Sequence, residues 1–177
     1  MRNNFTNNKI YTIAFLTIVV IISVVLLMFI SSITLPRVEA QQEEEVRQML
    51  SKIFEDMDDF EKSEDIYNIL KEGELIGYAF KGIGNGYGGD INILIGLNSD
   101  KTIKEIVVLS HTETPGLGSK ITESAFLDQF EGLGLEELKL SKEGGRVDAI
   151  TGATISSEAM VTGVKQALEE KLSQLGE

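Results

Sequence analysis

The chain is 177 residues long, room for one ordinary domain able to bury a core without crosslinks. Its net charge of -12 argues against a nucleic-acid partner, since a surface that neutralises phosphates needs the opposite sign. It contains no cysteine, which excludes disulfides, thiol catalysis, cysteine-bound iron–sulfur clusters and c-type haem attachment together; any electrons it carries must travel on an organic cofactor.

Residues 1–9 are short and polar, with Arg2 and Lys9 as the charges. Residues 10–36 carry no charge and 10–30 are almost continuously apolar. About twenty such residues cross the hydrocarbon core of a bilayer as a helix. The run exceeds the roughly 7–15 residues of a signal-peptide core. Although Val38-Glu39-Ala40 faintly resembles a cleavage site, an uncleaved anchor is therefore expected. Arg2, Lys9 and the amino terminus on one side, against Arg37 and Arg47 on the other, bias the N-terminus slightly to the inside. The expected organisation is a cytoplasmic tail over 1–9, a transmembrane helix over 10–35, a helical linker region over 36–72 and an extracytoplasmic domain over 73–177. The protein is thus expected to be single-pass in the cytoplasmic membrane.

Beyond the anchor, Val46, Leu50, Ile53, Phe54, Met57 and Phe60 recur at spacings of three and four, the apolar face of a helix starting near Glu43. Asp56, Asp58, Asp59, Glu61, Glu64 and Asp65 lack the spacing and glycine of a calcium loop and read as a solvated face. The period then changes. Residues 65–70, 75–82, 90–97 and 103–110 are short, often β-branched and bounded by turn clusters. Their links are too short for parallel crossovers, so they predict an antiparallel meander. A second helix is expected over 121–130, with Ser119 or Thr122 as caps, and short strands over 138–140 and 147–150. The final helix presents Val161, Val164, Leu168, Leu172 and Leu175 on one face. The fold class expected is α+β: an N-terminal transmembrane helix, then a mostly antiparallel sheet with packed helices.

Asp148-Ala149-Ile150-Thr151-Gly152-Ala153-Thr154 leads straight into that final helix. The first N–H groups of a helix lack internal partners, and its dipole adds partial positive charge there, so a phosphate would be favoured. Gly152 and Ala153 would let such a group approach the backbone. The competing reading is an ordinary cap, with Ser156 or Ser157 satisfying the first turn. Thr114-Pro115-Gly116-Leu117 has proline and glycine where a type II turn requires them. The glycine-rich stretch Gly82-Ile83-Gly84-Asn85-Gly86-Tyr87-Gly88-Gly89-Asp90 lacks the following Gly-Lys-Ser/Thr of a phosphate loop and fits a hairpin or bulged loop. Tyr87 fits a pocket wall and the core equally well. His111, the sole histidine, makes no metal site and receives no catalytic role.

Asp148-Ala-Ile-Thr-Gly-Ala-Thr154 resembles the flavinylation motif Asp-x-x-(Ser/Thr)-Gly-Ala-Thr of the FMN-binding domain family. That domain is found in the G subunit of Rnf electron-transport complexes and the C subunit of sodium-pumping NADH:quinone reductases. The Glu113-Thr114-Pro115-Gly116-Leu117-Gly118 element and the Gly86-Tyr87-Gly88-Gly89 loop are similar to segments of the same family. The compact length suits the Rnf type. The resemblance implies FMN held by Thr154 through a phosphoester, with Asp148, Thr151, Gly152, Ala153 and Ser156 around the attachment point. It places Glu113, Thr114, Leu117 and Gly118 in the cofactor neighbourhood; Lys120 is a looser expectation, as a cation near the flavin, and Tyr87 a neighbour of the pocket. It also implies a flavin transferase using FAD as donor, and the other membrane subunits of an Rnf-type complex coupling ferredoxin:NAD electron transfer to sodium or proton translocation. In that reading the chain is an electron relay within an ion-translocating oxidoreductase and has no catalytic residues of its own. The alternatives are a free-standing anchored flavoprotein of an extracytoplasmic reductase chain and a non-redox membrane-anchored adaptor.

Overall fold

The computed structural model describes the backbone of residues 4–175 and, within it, the side chains of 12–26, 28 and 43–175. The first residues of the expected tail, and part of the expected anchor's side chains, lie outside the described residues. The chain divides into two compact units, Met1–Arg47 and Gln48–Glu177.

Helix α1 (Asn4–Ile53) supplies the described part of the first unit and the start of the second. Its described aliphatic side chains over 12–28 are exposed, Ile13 at 64% and Val25 at 59% among them. Among the described residues no helix is long and apolar enough to cross a membrane. The helix expected to begin near Glu43 is the end of α1. It stops at Ile53, so that Phe60, expected on its face, lies instead in a strand.

The second unit is built on a five-stranded antiparallel sheet in sequential order: β1 (Asp59–Ser63), β2 (Ile66–Lys71), β3 (Glu74–Asn85), β4 (Asp90–Asn98) and β5 (Ile103–Ser110). The meander expected from the short runs and their short links is present, with one strand more. β1 pairs with β2 from Asp59↔Leu70 to Ser63↔Ile66. Its mostly exposed, charged residues carry no apolar alternation, so pairing, and not burial, makes it a strand. Because β1 and β2 belong to the sheet, the folded unit reaches upstream of residue 73.

Strand alternation sends Ile91, Ile93, Ile95 and Leu97 of β4 to one face, where they join Phe80, Phe130, Met160, Val164 and Leu168 in the main core. The other face receives the end of α1. A Cβ on Gly96 would lie 2.4 Å from Ile53 Cγ2, and one on Gly77 2.7 Å from Phe54 Cε1, so both glycines are there to let α1 close on the sheet.

The helix expected over 121–130 is broken. A 3-10 turn (Gly118–Thr122), the short α2 (Ser124–Leu127) and a second 3-10 turn (Asp128–Phe130) follow one another. Glu123 is extended (φ -78, ψ 139) and interrupts the ladder, which lets Ile121, Phe126 and Phe130 all reach the core. Neither expected cap is used: the Ser119 hydroxyl accepts from Gly116 N–H at 2.9 Å, and the Thr122 hydroxyl donates to Ser119 O at 2.9 Å. The short strands expected over 138–140 and 147–150 reduce to a single parallel bridge, Leu140↔Val147.

α3 (Thr154–Gln174) closes the fold on β3. It buries Val161, Val164 and Leu168 as expected, with Leu172 half-buried; truncating a fully buried aliphatic such as Leu168 costs about 2–5 kcal/mol. Ala159, Gly163 and Ala167 on the same helix meet Gly82 and Gly84 of β3, so backbone touches backbone along the crossing.

Candidate functional site

The start of α3 is reached through a turn that the sequence specifies locally. Ala153 N–H donates to Ile150 O at 2.9 Å, and Gly152 between them has φ +82, a conformation that costs a residue with a side chain about 1–2 kcal/mol. The other loop has the same form: Leu117 N–H donates to Thr114 O at 3.2 Å and Gly116 has φ +74, as a type II turn requires. The two turns meet. A Cβ on Gly152 would lie 3.0 Å from Leu117 Cδ1, so the Leu117 side chain rests against the glycine that precedes the helix.

α3 has no side-chain cap; Ala153 is the N-cap. Neither serine that could have capped does so. The Ser157 hydroxyl, fully buried, donates to Ala153 O and accepts from Ile150 N–H, both at 3.0 Å, and so locks the turn to the helix it precedes. The Ser156 hydroxyl, also buried, donates to Glu113 Oε2 at 2.5 Å. The helix's own bonding begins with Ser157 N–H to Ala153 O. Among the described residues, the N–H groups of Thr154, Ile155 and Ser156 take no hydrogen-bond acceptor. The Thr154 hydroxyl is exposed and likewise has no partner among the described residues.

Glu113 is only 4% exposed. Its other oxygen, Oε1, accepts from Gly88 N–H at 3.0 Å, and its own N–H donates to His111 Nδ1 at 3.2 Å. Gly88 sits in the β3–β4 hairpin, closed by Gly86 N–H to Gly89 O at 2.9 Å and tied to β5's end by the Thr112 hydroxyl on Gly88 O. The glycine-rich loop is thus the hairpin expected of it. Its glycines make room for the carboxylate: a Cβ on Gly86 would lie 2.1 Å from Oε1, and one on Gly118 2.6 Å from Oε2. One carboxylate therefore joins the glycine hairpin, the proline turn and the helix start.

The remaining expected residues differ in how they are held. Thr114 O accepts from Leu117 and Ser119. Gly118 is buried at the head of its 3-10 turn. Asp148 is exposed, its backbone held by Gln129, whose Oε1 accepts from Asp148 N–H at 2.7 Å. Thr151 is exposed in the turn and Ala153 buried behind it. Tyr87, for which the core was one expectation, is 73% exposed at the hairpin tip. Lys120 is exposed, and among the described residues its side chain makes no hydrogen bond or ion pair with the helix start. Sequence reasoning does not find the roles of Gln129 and Ser157. Gln129 is a lone polar residue in a broken helix, and nothing local distinguishes Ser157 from Ser156.

The donor set fits a phosphate ester on Thr154: an exposed hydroxyl, unpartnered helix-start N–H groups and a glycine without Cβ. Leu117 at 42% exposure, resting against Gly152, and Ile155 at 56%, next to Thr154 in the chain, add exposed apolar surface of the kind a planar ring system needs.

The fold and this junction define a flavin-binding class of domain, and the family described as FMN-binding domain matches residues 86–169. The G subunit of an ion-translocating oxidoreductase complex from Methanosarcina acetivorans is 43% identical over 105 residues, covering 59% of this chain and 56% of that protein. The chain thus spans little more than half of that relative's length. The G subunit of a proton-translocating ferredoxin:NAD(+) oxidoreductase complex from Clostridium ljungdahlii is 32% identical over 178 residues, covering 96% of each chain. The crystal structure of NqrC from Shewanella oneidensis superposes with a TM-score of 0.51 at 25% identity, over 62% of this chain and 60% of that one. The chain belongs to the FMN-binding domain family.

Proposed function

We propose that this chain is an electron-relay subunit of an Rnf-type membrane complex, carrying FMN esterified to Thr154. FMN, when bound, supplies electron transfer without any metal ligand. The observation that carries the reading is the state of the hydroxyls at the start of α3. Ser156 and Ser157 are buried and bonded inward, whereas Thr154 stands exposed beside unpartnered N–H groups. Those N–H groups would hold the phosphate oxygens, and the Leu117–Gly152 contact would set the ring's near wall. Thr154 is an attachment point and takes no part in turnover. Intact-mass measurement of the chain from its native host tests this: one added FMN is expected, absent in Thr154→Ala. An unmodified, colourless native chain would leave the adaptor reading in its place.

The assembly follows from the relatives' names: one belongs to an ion-translocating oxidoreductase complex, the other to a ferredoxin:NAD(+) oxidoreductase complex. The partners are then the other membrane subunits of such a complex, which couples electron transfer to sodium or proton movement, and a flavin transferase that loads FMN from FAD. Co-purification with several multi-span subunits is expected; a chain recovered alone with its flavin would favour the free-standing flavoprotein.

The chain is proposed to sit in the cytoplasmic membrane by a single span in α1, N-terminus inside and FMN domain outside. The exposed aliphatic side chains of α1 support this, as do the Thr17 and Ser23 hydroxyls, each bonded at 2.9 Å to its own helix's carbonyl four residues back. Protease added to intact spheroplasts would cleave the domain; protection would reverse the assignment.

A further inference from the structure

We infer that Glu113 is a positioning residue for the modification of Thr154, acting through Ser156 and through the glycine hairpin. The inference rests on the flavin reading above and deepens it. Two stretches distant in sequence converge on this one side chain. Oε2 accepts from the Ser156 hydroxyl at 2.5 Å, two residues beyond Thr154, and Oε1 accepts from Gly88 N–H at 3.0 Å. Glu113 and Ser156 are 4% and 2% exposed, so the link is shielded from water and its geometry is held by close packing. Gly86, Gly88 and Gly118 approach so closely that a Cβ on any of them would overlap Glu113, Thr112 or Ser156.

Two consequences follow for the helix start. Ser156 is bound inward, which removes a competing hydroxyl from the surface and leaves Thr154 as the exposed one in the first turn of α3. The rotation of that turn is also fixed from behind, because Ser157 and Ser156 hold it at adjacent positions to different partners. In the loading step the Thr154 oxygen forms the bond to the flavin-side phosphorus of FAD, the pyrophosphate bridge breaks, AMP leaves and the hydroxyl proton passes to base. The enzyme that catalyses this must find a hydroxyl at a defined place, and a shift of about 1 Å in such geometry costs up to about a hundredfold in rate. Glu113 touches neither phosphate nor ring in this account. It presents the acceptor.

The test is the rate at which full-length chain in detergent gains the mass of FMN on incubation with FAD and the flavin transferase. Wild type, Glu113→Ala, Glu113→Gln and Ser156→Ala are compared, with melting of each unmodified chain followed alongside. Glu113→Ala and Ser156→Ala are expected to melt cooperatively yet load about tenfold or more slowly. Glu113→Gln keeps one acceptor oxygen and is expected to fall between them and wild type, with loading rates that do not track the melting temperatures of the unmodified chains. Should Glu113→Ala fail to fold, Glu113→Gln with hydrogen exchange at the first turn of α3 carries the same comparison. Folded variants that load at the wild-type rate overturn this inference alone. A wild-type chain that gains no mass overturns the flavin reading, and this inference with it.

Discussion

Gly163 of α3 rests on Gly84 of β3, and a Cβ on Gly163 would lie 2.7 Å from the Gly84 Cα. The approach is backbone against backbone, since a Cβ on Gly84 would in turn meet Ala159 O at 2.4 Å. This crossing sets where α3 lies on the sheet, and hence where Thr154 at its head emerges. Gly84→Ala is expected to cost about 1–3 kcal/mol by overpacking, with no compensating gain. Gly163→Ala adds a helix-favouring residue worth about 1 kcal/mol, so its net loss is expected to be smaller. Urea unfolding of both variants checks the order; a Gly84→Ala chain as stable as wild type would contradict the contact.

Gly152 has φ +82 and Leu117 Cδ1 lies where its side chain would project. Gly152→Ala is expected to lose about 1–2 kcal/mol from the left-handed conformation alone. The turn is also the approach to Thr154, so flavin content measured by in-gel fluorescence is expected to fall together with the melting temperature. Full flavin content in a destabilised variant would show that the turn matters to folding only.

Ser157→Ala removes the acceptor of Ile150 N–H and a donor to Ala153 O inside a fully buried site. The orphaned amide is expected to cost about 1–3 kcal/mol. Ser157→Thr retains the hydroxyl and is expected to lose less if the added methyl fits. Hydrogen exchange at Ile150 reads the change directly: acceleration is expected in the alanine variant, and unchanged protection would mean that water replaces the hydroxyl.

Two surface carboxylates are expected to move stability in opposite directions with pH. Glu137 accepts from Gly134 N–H and pairs with Arg146, and these hold its pKa below the usual 4.5. A lowered acid stabilises the folded state above its unfolded pKa and loses that contribution as pH falls through the folded value. Glu137→Gln is therefore expected to be less stable than wild type at neutral pH, with the gap closing below pH 4.5. Glu105 is pushed above 4.5, first by burial and then by Asp128, Glu131 and Glu55, against the opposing charge of Lys104. Ionised, it is unfavourable to the fold, so Glu105→Gln is expected to be slightly more stable at neutral pH and to lose the advantage as acid protonates wild type. Thermal melts of both variants from pH 7 down to about 3.5 check the two signs; parallel curves would refute them.

The features legible in the sequence are those that depend on near neighbours. Residues 90–97 and 103–110, short, often β-branched and bounded by turn clusters, predict strands, and these are β4 and β5. Pro115-Gly116 predicts its turn, and the spacing of Val161, Val164 and Leu168 its buried helix face, since both are matters of a few residues of backbone. The order of the three glycine and threonine motifs is likewise readable, and with it the family.

Which side chains those motifs share is settled by tertiary packing. β1 is a strand because β2 pairs with it, although its own residues are charged and exposed. Glu113 reaches Gly88 across 25 positions and Ser156 across 43, separations at which no local pattern records a contact. The expectation that Ser156 caps the helix fails for the same reason, whereas Ser157 is bonded locally to Ala153 O and Ile150 N–H. A hydroxyl bonds to whichever acceptor packing brings within reach, and for Ser156 that is a buried carboxylate from another loop. Thr154 stays at the surface while Ser156 and Ser157 lie inside.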